Sequence, residues 1–163
     1  MKLKKRLSSK VVFTAVYFIA FAVYLVIGLQ PAEATRYIVS DQLSIPSIGL
    51  VSDVATLEVE EHELKTPDTI VGSYSNHKNK TLLTGHSTTV FTELKNVGLN
   101  SEIAYGDRIY RVVRREMIPK AEVDMDRILS EADQDTIVIM TCAGELFNDG
   151  DATHRFMLTA VAK

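Results

Sequence analysis

The sequence contains a single cysteine, Cys142, at a point where a side chain could be presented to a substrate. It ends the apolar run IVIMTC (137–142) and is followed by Ala143, Gly144 and a polar loop, ELFNDGDAT (145–153). Functional side chains are often carried where a rigid scaffold opens into a loop. A thiol at such a place can act as a nucleophile when a neighbouring histidine or arginine favours the thiolate. The alternative is a small buried hydrophobe, which is the commoner use of a free cysteine.

His86 is the best candidate for the proton-transfer partner of a thiol. It closes the apolar run TLLTG (81–85), and Gly85 immediately before it allows a close backbone approach. Imidazole gains and loses a proton near neutral pH, which suits general acid-base work. His62 and His77 lie in the polar stretches EEHELK and SNHKNK, which favour solvated surface positions. For His86 the non-catalytic alternative is a ring that hydrogen-bonds to a backbone carbonyl.

Arg155 begins the run RFMLTAVA (155–162), so its charge is expected at a strand tip near the loop that follows Cys142. His154 precedes it, and neighbouring strand residues point to opposite faces, so only one of the two can face Cys142. An arginine there would favour the thiolate, and its forked donors could stabilise the oxyanion of acyl transfer. The alternative is a salt bridge at the rim of the domain with one of three loop carboxylates, Glu145, Asp149 or Asp151.

Short runs rich in Val, Ile, Tyr and Thr, separated by turn residues, would position these side chains. They predict strands at 43–50, 55–59, 81–86, 107–113, 136–142 and 155–162. Many short strands in a small domain indicate an all-β barrel or sandwich. Two stretches, 87–98 and 123–132, have apolar spacing and capping residues that predict short connecting helices.

The N-terminal part of the chain has the pattern of a membrane anchor. Residues 1–10 contain five basic residues, and 11–29 are nineteen consecutive uncharged residues, about the length of a helix that crosses a bilayer. The positive-inside rule places residues 1–10 in the cytoplasm and the chain after residue 29 outside the cell membrane. We expect a linker at 30–41 and a folded extracellular domain at 42–163. A cleaved signal peptide is the alternative, because residues 32–34 (AEA) resemble a processing site.

The charge of the exported part argues against nucleic-acid binding. Five of the 18 Lys and Arg residues precede residue 11, which leaves 13 basic against 21 acidic residues after it. Proteins that bind nucleic acids take much of their affinity from neutralising phosphates with Lys and Arg. An acidic domain is a poor candidate for that class.

The order of these motifs resembles that of the sortase family. TLLTGHS (81–87) is similar to the family's histidine strand, IVIMTC (137–142) to its nucleophile strand and HRF (154–156) to its arginine strand. Weaker similarity extends the resemblance over roughly residues 43–162. The nucleophile strand commonly reads Thr-Leu-x-Thr-Cys in the family, and Val138 and Ile139 replace the first two residues here. The exchange is conservative for a buried strand.

The resemblance implies an eight-stranded sortase-like β-barrel with one or two short connecting helices, preceded by one N-terminal transmembrane helix. It also implies a cysteine transpeptidase in which Cys142 attacks a carbonyl in a Leu-Pro-x-Thr-Gly-like sorting motif on another exported protein. His86 would act as acid and base, Arg155 would stabilise the oxyanion, and Thr141 would either help to hold substrate or serve the structure. The acceptor would be an amine of a peptidoglycan precursor or a pilin lysine. No cofactor or metal is expected, although some relatives use calcium.

Two rival functions remain open at this point. A thiol hydrolase could use the same three residues and pass the acyl group to water. A non-catalytic, membrane-tethered β domain could bind a wall component or a partner protein, with Cys142 buried and unreactive. A metal site formed by Cys142, His86 and an acidic residue has too few ligands with recognisable spacing to be favoured.

Overall fold

The computed structural model describes residues 39–60, 63–77, 79–147 and 151–163. The transmembrane helix predicted at 11–29 and the cytoplasmic segment predicted at 1–10 lie outside these ranges. Among the described residues, no helix has the length and apolar character needed to span a membrane. The strands are β1 (Val39–Ile45), β2 (Leu50–Thr56), β3 (Val59–Glu60), β4 (Glu63–Leu64), β5 (Val71–His77), β6 (Lys80–Thr84), β7 (Glu102–Tyr105), β8 (Arg108–Pro119), β9 (Thr136–Leu146) and β10 (Ala152–Ala162).

Eight of these strands form a closed barrel, which confirms the predicted architecture. Their order around the barrel is β1-β2-β5-β6-β9-β10-β8-β7, and β7 pairs with β1 to close it. The pairs β2–β5 and β6–β9 are parallel, and the other neighbouring strands in the barrel are antiparallel. Strands β3 and β4 form a separate two-stranded sheet.

The first part of β9, residues 136–141, is largely buried on both faces, which explains its nearly continuous apolar sequence. Successive side chains of a strand point to opposite faces. Ile137 and Ile139 face the interior of the barrel, where they join the main core with Leu83, Phe91 and Leu158. Val138 belongs to a second apolar cluster with Leu82, Met157 and Ile128 of the helix α1 (Met125–Leu129). The helix thus packs on the outer face of the barrel, against β6 and the neighbouring part of β9.

The predicted helix at 123–132 forms as the single turn and a half of α1. The side chain of Asp124 accepts a hydrogen bond from the backbone N–H of Arg127 at 3.0 Å, which is the expected N-cap interaction. The helix ends at Leu129, so the sequence predicted its position well and overestimated its length.

The predicted helix at 87–98 is wrong. The segment is a series of turns that ends in a 3-10 helix at Leu94–Asn96. Its threonines bond to nearby backbone, since Thr92 Oγ1 donates to the carbonyl of Thr89 and Thr89 Oγ1 to that of Asp68, both at 2.7 Å. Such bonds compete with a helical ladder. The apolar residues that suggested a helix, Phe91 and Leu94, are buried in the main core instead.

The single strand predicted at 43–50 is wrong, because a 3-10 helix at Pro46–Ile48 separates the end of β1 from the start of β2. Other boundaries differ in smaller ways. β1 begins at Val39, inside the segment predicted as linker, because it pairs with β2 from Val39 onward. The strand predicted at 107–113 extends to Pro119, since β10 pairs with it along that length. Strands β5 and β7 were not predicted, because their sequences VGSYSNH and EIAY carry little apolar alternation.

Candidate active site

A cleft of about 550 Å³ lies where β6, β9 and β10 meet α1 and the small β3–β4 sheet. All four residues that the sequence singled out contribute to its lining: His86, Thr141, Cys142 and Arg155. One wall is apolar and is formed by Val59, Leu64, Met125, Leu129 and Met140. The cleft therefore combines a group of polar and reactive side chains with an apolar surface next to them.

Cys142 and Arg155 are direct partners across the antiparallel pair β9–β10. Directly opposite residues project to the same face of a sheet, with Cβ atoms about 4.5–5.5 Å apart. The same register pairs His154 with Ala143, so the histidine points to the other face. Arg155 is thus the member of the His154-Arg155 pair that lines the cleft with the thiol.

His86 reaches the cleft through the parallel pair β6–β9. Thr84 at the end of β6 pairs with Met140, and two residues further each chain arrives at His86 and Cys142 respectively. The hydroxyl of Thr141 donates a hydrogen bond to the carbonyl oxygen of Gly85 at 2.7 Å, which joins the two strand ends directly. Thr141 is buried and its hydroxyl is used in this bond, so the residue has a structural role. Its substrate-binding role stays a prediction.

Gly85 is required by the packing around His86. A Cβ atom at this position would lie 2.5 Å from Val90 Cγ1 and 2.7 Å from Phe91 Cδ2, well inside contact distance. The chain therefore passes closely over Phe91 just before it presents the imidazole, as the glycine in the sequence suggested.

The imidazole of His86 is partly exposed, with 43% of its side chain accessible. Its Nε2 atom lies 3.9 Å from Asp68 Oδ1, at the limit of an ion pair with an almost fully exposed carboxylate. The backbone carbonyl of Asp68 also accepts from Thr89, which holds this loop beside the turns after His86. Nothing in the sequence around Asp68 indicated this proximity.

Arg155 is the most enclosed of the charged residues in the cleft, since its side chain is 15% exposed. Its Nη1 donates to the carbonyls of Ala152 and His154, both at 3.1 Å, and its Nη2 donates to Asp151 Oδ1 at 2.7 Å. The salt bridge with Asp151 is the one that the sequence analysis offered as an alternative to a catalytic role. The two are compatible, because a guanidinium has five N–H donors and these contacts use three.

Asp151 also binds Lys120, through its other carboxylate oxygen. Hydrogen bonds from Lys120 and Arg155 hold the pKa of the Asp151 carboxyl well below its usual range, and the backbone N–H of Ala152 adds to the effect. The carboxylate therefore stays charged in acidic solution.

Gly144 lies in β9 two residues after the nucleophile, where the β9–β10 register is irregular, and its φ is +82°. A Cβ there would lie 2.3 Å from Thr153 Oγ1 and 2.8 Å from His154 Nδ1. Thr153 Oγ1 accepts a hydrogen bond from the backbone N–H of Glu145 and also bonds to His154 Nδ1. His154 thus has a partner outside the cleft and packs against the irregular part of the β9–β10 pair.

The remaining predicted features of the site have different outcomes. His77 is exposed at the end of β5, as expected, whereas His62 lies outside the described residues. Within the described ranges, no cluster of three or more His, Cys, Asp or Glu side chains could hold a metal ion. The expectation that the protein needs no metal or other cofactor stays a prediction.

The residues of the apolar wall were not predicted from the sequence. Met125 and Leu129 lie in α1, and their sequence gives the period of an amphipathic helix without showing which surface the helix covers. Val59 and Leu64 come from the small β3–β4 sheet, which the sequence did not predict as a hairpin. A thiol, an imidazole and a guanidinium beside an apolar surface can together bind a peptide segment and transfer an acyl group.

Solved structures with the same fold are sortases. Sortase A of Corynebacterium diphtheriae, in a lid-mutant form, superposes with a TM-score of 0.60 at 19% identity, over 80% of this chain and 73% of that chain. Sortase C1 of Streptococcus agalactiae superposes with a TM-score of 0.60 at 17% identity, over 90% of this chain and 84% of that chain. Sortase A of Listeria monocytogenes superposes with a TM-score of 0.59 at 18% identity, over 77% of this chain and 87% of that chain. At these identities the likeness establishes the fold.

Comparison with curated protein sequences gives no match. The family model described as Sortase domain, however, matches residues 43–163, which is most of the chain. This range contains every residue of the cleft described above. The chain therefore belongs to the sortase family.

Proposed function

We propose that this protein is a cysteine transpeptidase that cuts a Leu-Pro-x-Thr-Gly-like sorting motif and transfers the acyl part to an amine. The observation that carries the proposal is the direct pairing of Cys142 and Arg155 across β9–β10, with His86 lining the same cleft. The three groups are those that acyl transfer through a thioester requires: a nucleophile, an acid-base group and a donor for the oxyanion.

In the first half-reaction the proton of the Cys142 thiol resides on His86, and the thiolate sulfur attacks the carbonyl carbon of the scissile peptide bond. The carbonyl oxygen becomes an oxyanion, and the guanidinium of Arg155 stabilises it through N–H donors and charge. Collapse of this intermediate breaks the C–N bond, and His86 gives a proton to the departing amine. The products are a thioester on Cys142 and a free C-terminal peptide.

In the second half-reaction an amine attacks the thioester carbonyl. His86 takes the proton from the incoming nitrogen, Arg155 again stabilises the oxyanion, and the thiolate leaves. The acceptor would be a peptidoglycan precursor or a pilin lysine. A water molecule in place of the amine would give hydrolysis, so the two activities differ only in the acceptor.

The apolar wall supports a motif with an apolar residue on the acyl side. Met125, Leu129 and Met140 line the cleft beside the polar group, and burial of a leucine-sized side chain is worth about 1.5–3 kcal/mol. Methionine side chains adapt to different shapes, so we expect tolerance of other apolar residues at this point of the motif.

We place the catalytic domain on the outer side of the cell membrane, anchored by residues 11–29. The length of the uncharged segment and the basic residues before it support this arrangement. Exported proteins with C-terminal sorting motifs would then be the substrates.

The test is product analysis with a library of Leu-Pro-x-Thr-Gly-type peptides, with and without an added amine such as triglycine. A transpeptidase gives the amine-linked product when the amine is present and needs Cys142, so Cys142→Ala should give none. Hydrolysed peptide alone at every amine concentration would identify a thiol hydrolase. No cleavage of any peptide would contradict both and favour a binding domain.

A further inference from the structure

Asp151 connects two cationic side chains that belong to different parts of the fold. Its Oδ1 accepts from Arg155 Nη2 at 2.7 Å, and its Oδ2 accepts from Lys120 Nζ. Arg155 lies on β10 in the cleft, whereas Lys120 begins the 3-10 helix Lys120–Glu122 that follows β8. One carboxylate thereby ties the cleft to the connection that leads into α1.

The carboxylate is itself held in place. The backbone N–H of Ala152 donates to Asp151 Oδ1 at 2.8 Å, and the N–H of Phe147 donates to the carbonyl of Asp151 at 2.7 Å. The first contact fixes the side chain of Asp151 relative to the start of β10. The second joins the residue after β9 to the residue before β10.

Arg155 gains a fixed orientation from these contacts. Nη1 is bound to two backbone carbonyls and one hydrogen of Nη2 to Asp151, so the described structure engages three of its five N–H donors. The N–H of Nε and the second hydrogen of Nη2 remain for a group in the cleft. A guanidinium held along one edge presents its other donors at lower entropic cost than a mobile one.

Lys120 has an electrostatic as well as a structural effect. A carboxylate bound to Arg155 alone would neutralise the positive charge that an oxyanion needs. The three groups Lys120, Asp151 and Arg155 together carry a net positive charge, so Lys120 preserves the field in the cleft. An isolated surface ion pair contributes little to stability, but a network of several charges with good geometry can contribute more.

We propose that Asp151, bound by Lys120, is a positioning residue that fixes the guanidinium of Arg155 for oxyanion stabilisation. The expected effect on kcat rests on the proposed transpeptidase function. The expected immobilisation of the Arg155 guanidinium rests on the contacts alone. The two consequences can be measured separately.

The structural measurement is nuclear magnetic resonance of arginine side-chain N–H groups in the purified full-length chain. The Arg155 signals are assigned by their loss in Arg155→Lys. In the wild type we expect separate, slowly exchanging Nη signals from a held guanidinium. In Asp151→Ala these should broaden or merge. Glu102→Gln, which removes an ion pair with Lys163 just beyond the other end of β10, should leave them unchanged. Unchanged Arg155 signals in Asp151→Ala would overturn the proposal.

The kinetic measurement compares kcat and KM for the best sorting peptide. Asp151→Ala should lower kcat about tenfold, the scale of one charge-assisted hydrogen bond, with KM within about twofold. Asp151→Asn keeps an oxygen acceptor for Arg155 and the bond from Ala152, so its kcat should fall less. Lys120→Met should lower kcat as well, while Glu102→Gln should match the wild type. Thermal midpoints near the wild-type value confirm that each variant is folded.

The two proposals fail in different ways. If the wild type gives no acyl product, the transpeptidase function fails, and the Arg155 signals still decide whether Asp151 holds the guanidinium. If the wild type is active and Asp151→Ala retains full kcat, the positioning role fails and the transpeptidase function stands.

Discussion

The hydroxyl of Thr141 donates a hydrogen bond to the carbonyl oxygen of Gly85 across the parallel strands β6 and β9. Each residue immediately precedes one of the proposed catalytic residues, Cys142 and His86 respectively. Thr141 is only 3% exposed, so water cannot readily replace the bond. This contact is a direct means by which the fold sets the position of the imidazole relative to the thiol.

Thr141→Val should destabilise the protein by about 1–3 kcal/mol, because it leaves the buried Gly85 carbonyl without this donor. Urea unfolding followed by circular dichroism measures the loss. Thr141→Ser keeps the hydroxyl and is the matched control, which should retain most of the stability. Equal stability of the valine variant and the wild type would show that the bond does not contribute to the free energy of unfolding.

Gly85→Ala should reduce activity through the position of His86. Its new methyl group would overlap the side-chain carbon atoms of Val90 and Phe91, so the backbone before His86 must shift. Gly98→Ala is the control, since the nearest atom to its methyl group would be Ser101 Oγ at 3.8 Å. We expect a loss of kcat of at least about tenfold for Gly85→Ala, as displacements of about 1 Å can cost far more. Similar kcat values for the two variants would contradict the account.

Arg155→Lys should lower kcat about 10²-fold despite the retained charge, because lysine lacks the planar fork of donors. Arg155→Ala should be at least as slow. Steady-state kinetics with one peptide and a saturating amine measures both. A lysine variant that works as well as the wild type would mean that only the charge of Arg155 matters.

Tyr110 predicts a dependence of stability on alkaline pH. Its ring is buried, and its hydroxyl lies 3.3 Å from both carboxylate oxygens of Asp135. Burial, with a further contribution from Asp135, raises the pKa of Tyr110 to about 12 from 10.0. Above pH 10 the unfolded chain loses this proton while the folded protein keeps it, so the free energy of unfolding falls between about pH 10 and 12.

Urea midpoints at about pH 9 and pH 11 test this dependence. The wild type should lose more stability between the two values than Tyr110→Phe, which has no phenol to ionise. Tyr110→Phe also serves as the control for general effects of alkaline pH, because it shares every other titrating group with the wild type. Parallel decreases in the two proteins would show that Tyr110 does not contribute.

Much of the barrel was predictable because its strands carry a clear pattern. The apolar runs ending at Thr84 and Cys142 form β6 and β9, and RFMLTAVA falls within β10. That His86 follows directly after β6 agrees with the sequence, but Cys142 and Arg155 lie within β9 and β10 and not at strand ends, because the two strands continue to pair as far as Leu146 and Ala152. The family resemblance predicted that the three residues belong to one site. The register that pairs Cys142 with Arg155 required the structure.

What could not be predicted depends on contacts between distant parts of the chain. The helical spacing of Phe91 and Leu94 satisfies the barrel core without a helix, since both side chains enter it from a run of turns. Asp68 lies near His86 in a loop that bonds to Thr89, a contact with no local sequence signal. The bond from Lys120 to Asp151 joins residues 31 positions apart and has no local sequence signal.

The most direct test of the central claim is the intact mass of the purified protein during turnover of a cleavable sorting peptide, without an added amine. The account predicts an added mass equal to the acyl fragment, located on Cys142 by peptide mapping, absent in Cys142→Ala, and discharged when an amine is supplied. A fully unmodified Cys142 in protein that still cleaves the peptide, or an adduct on another residue, would contradict the thioester mechanism.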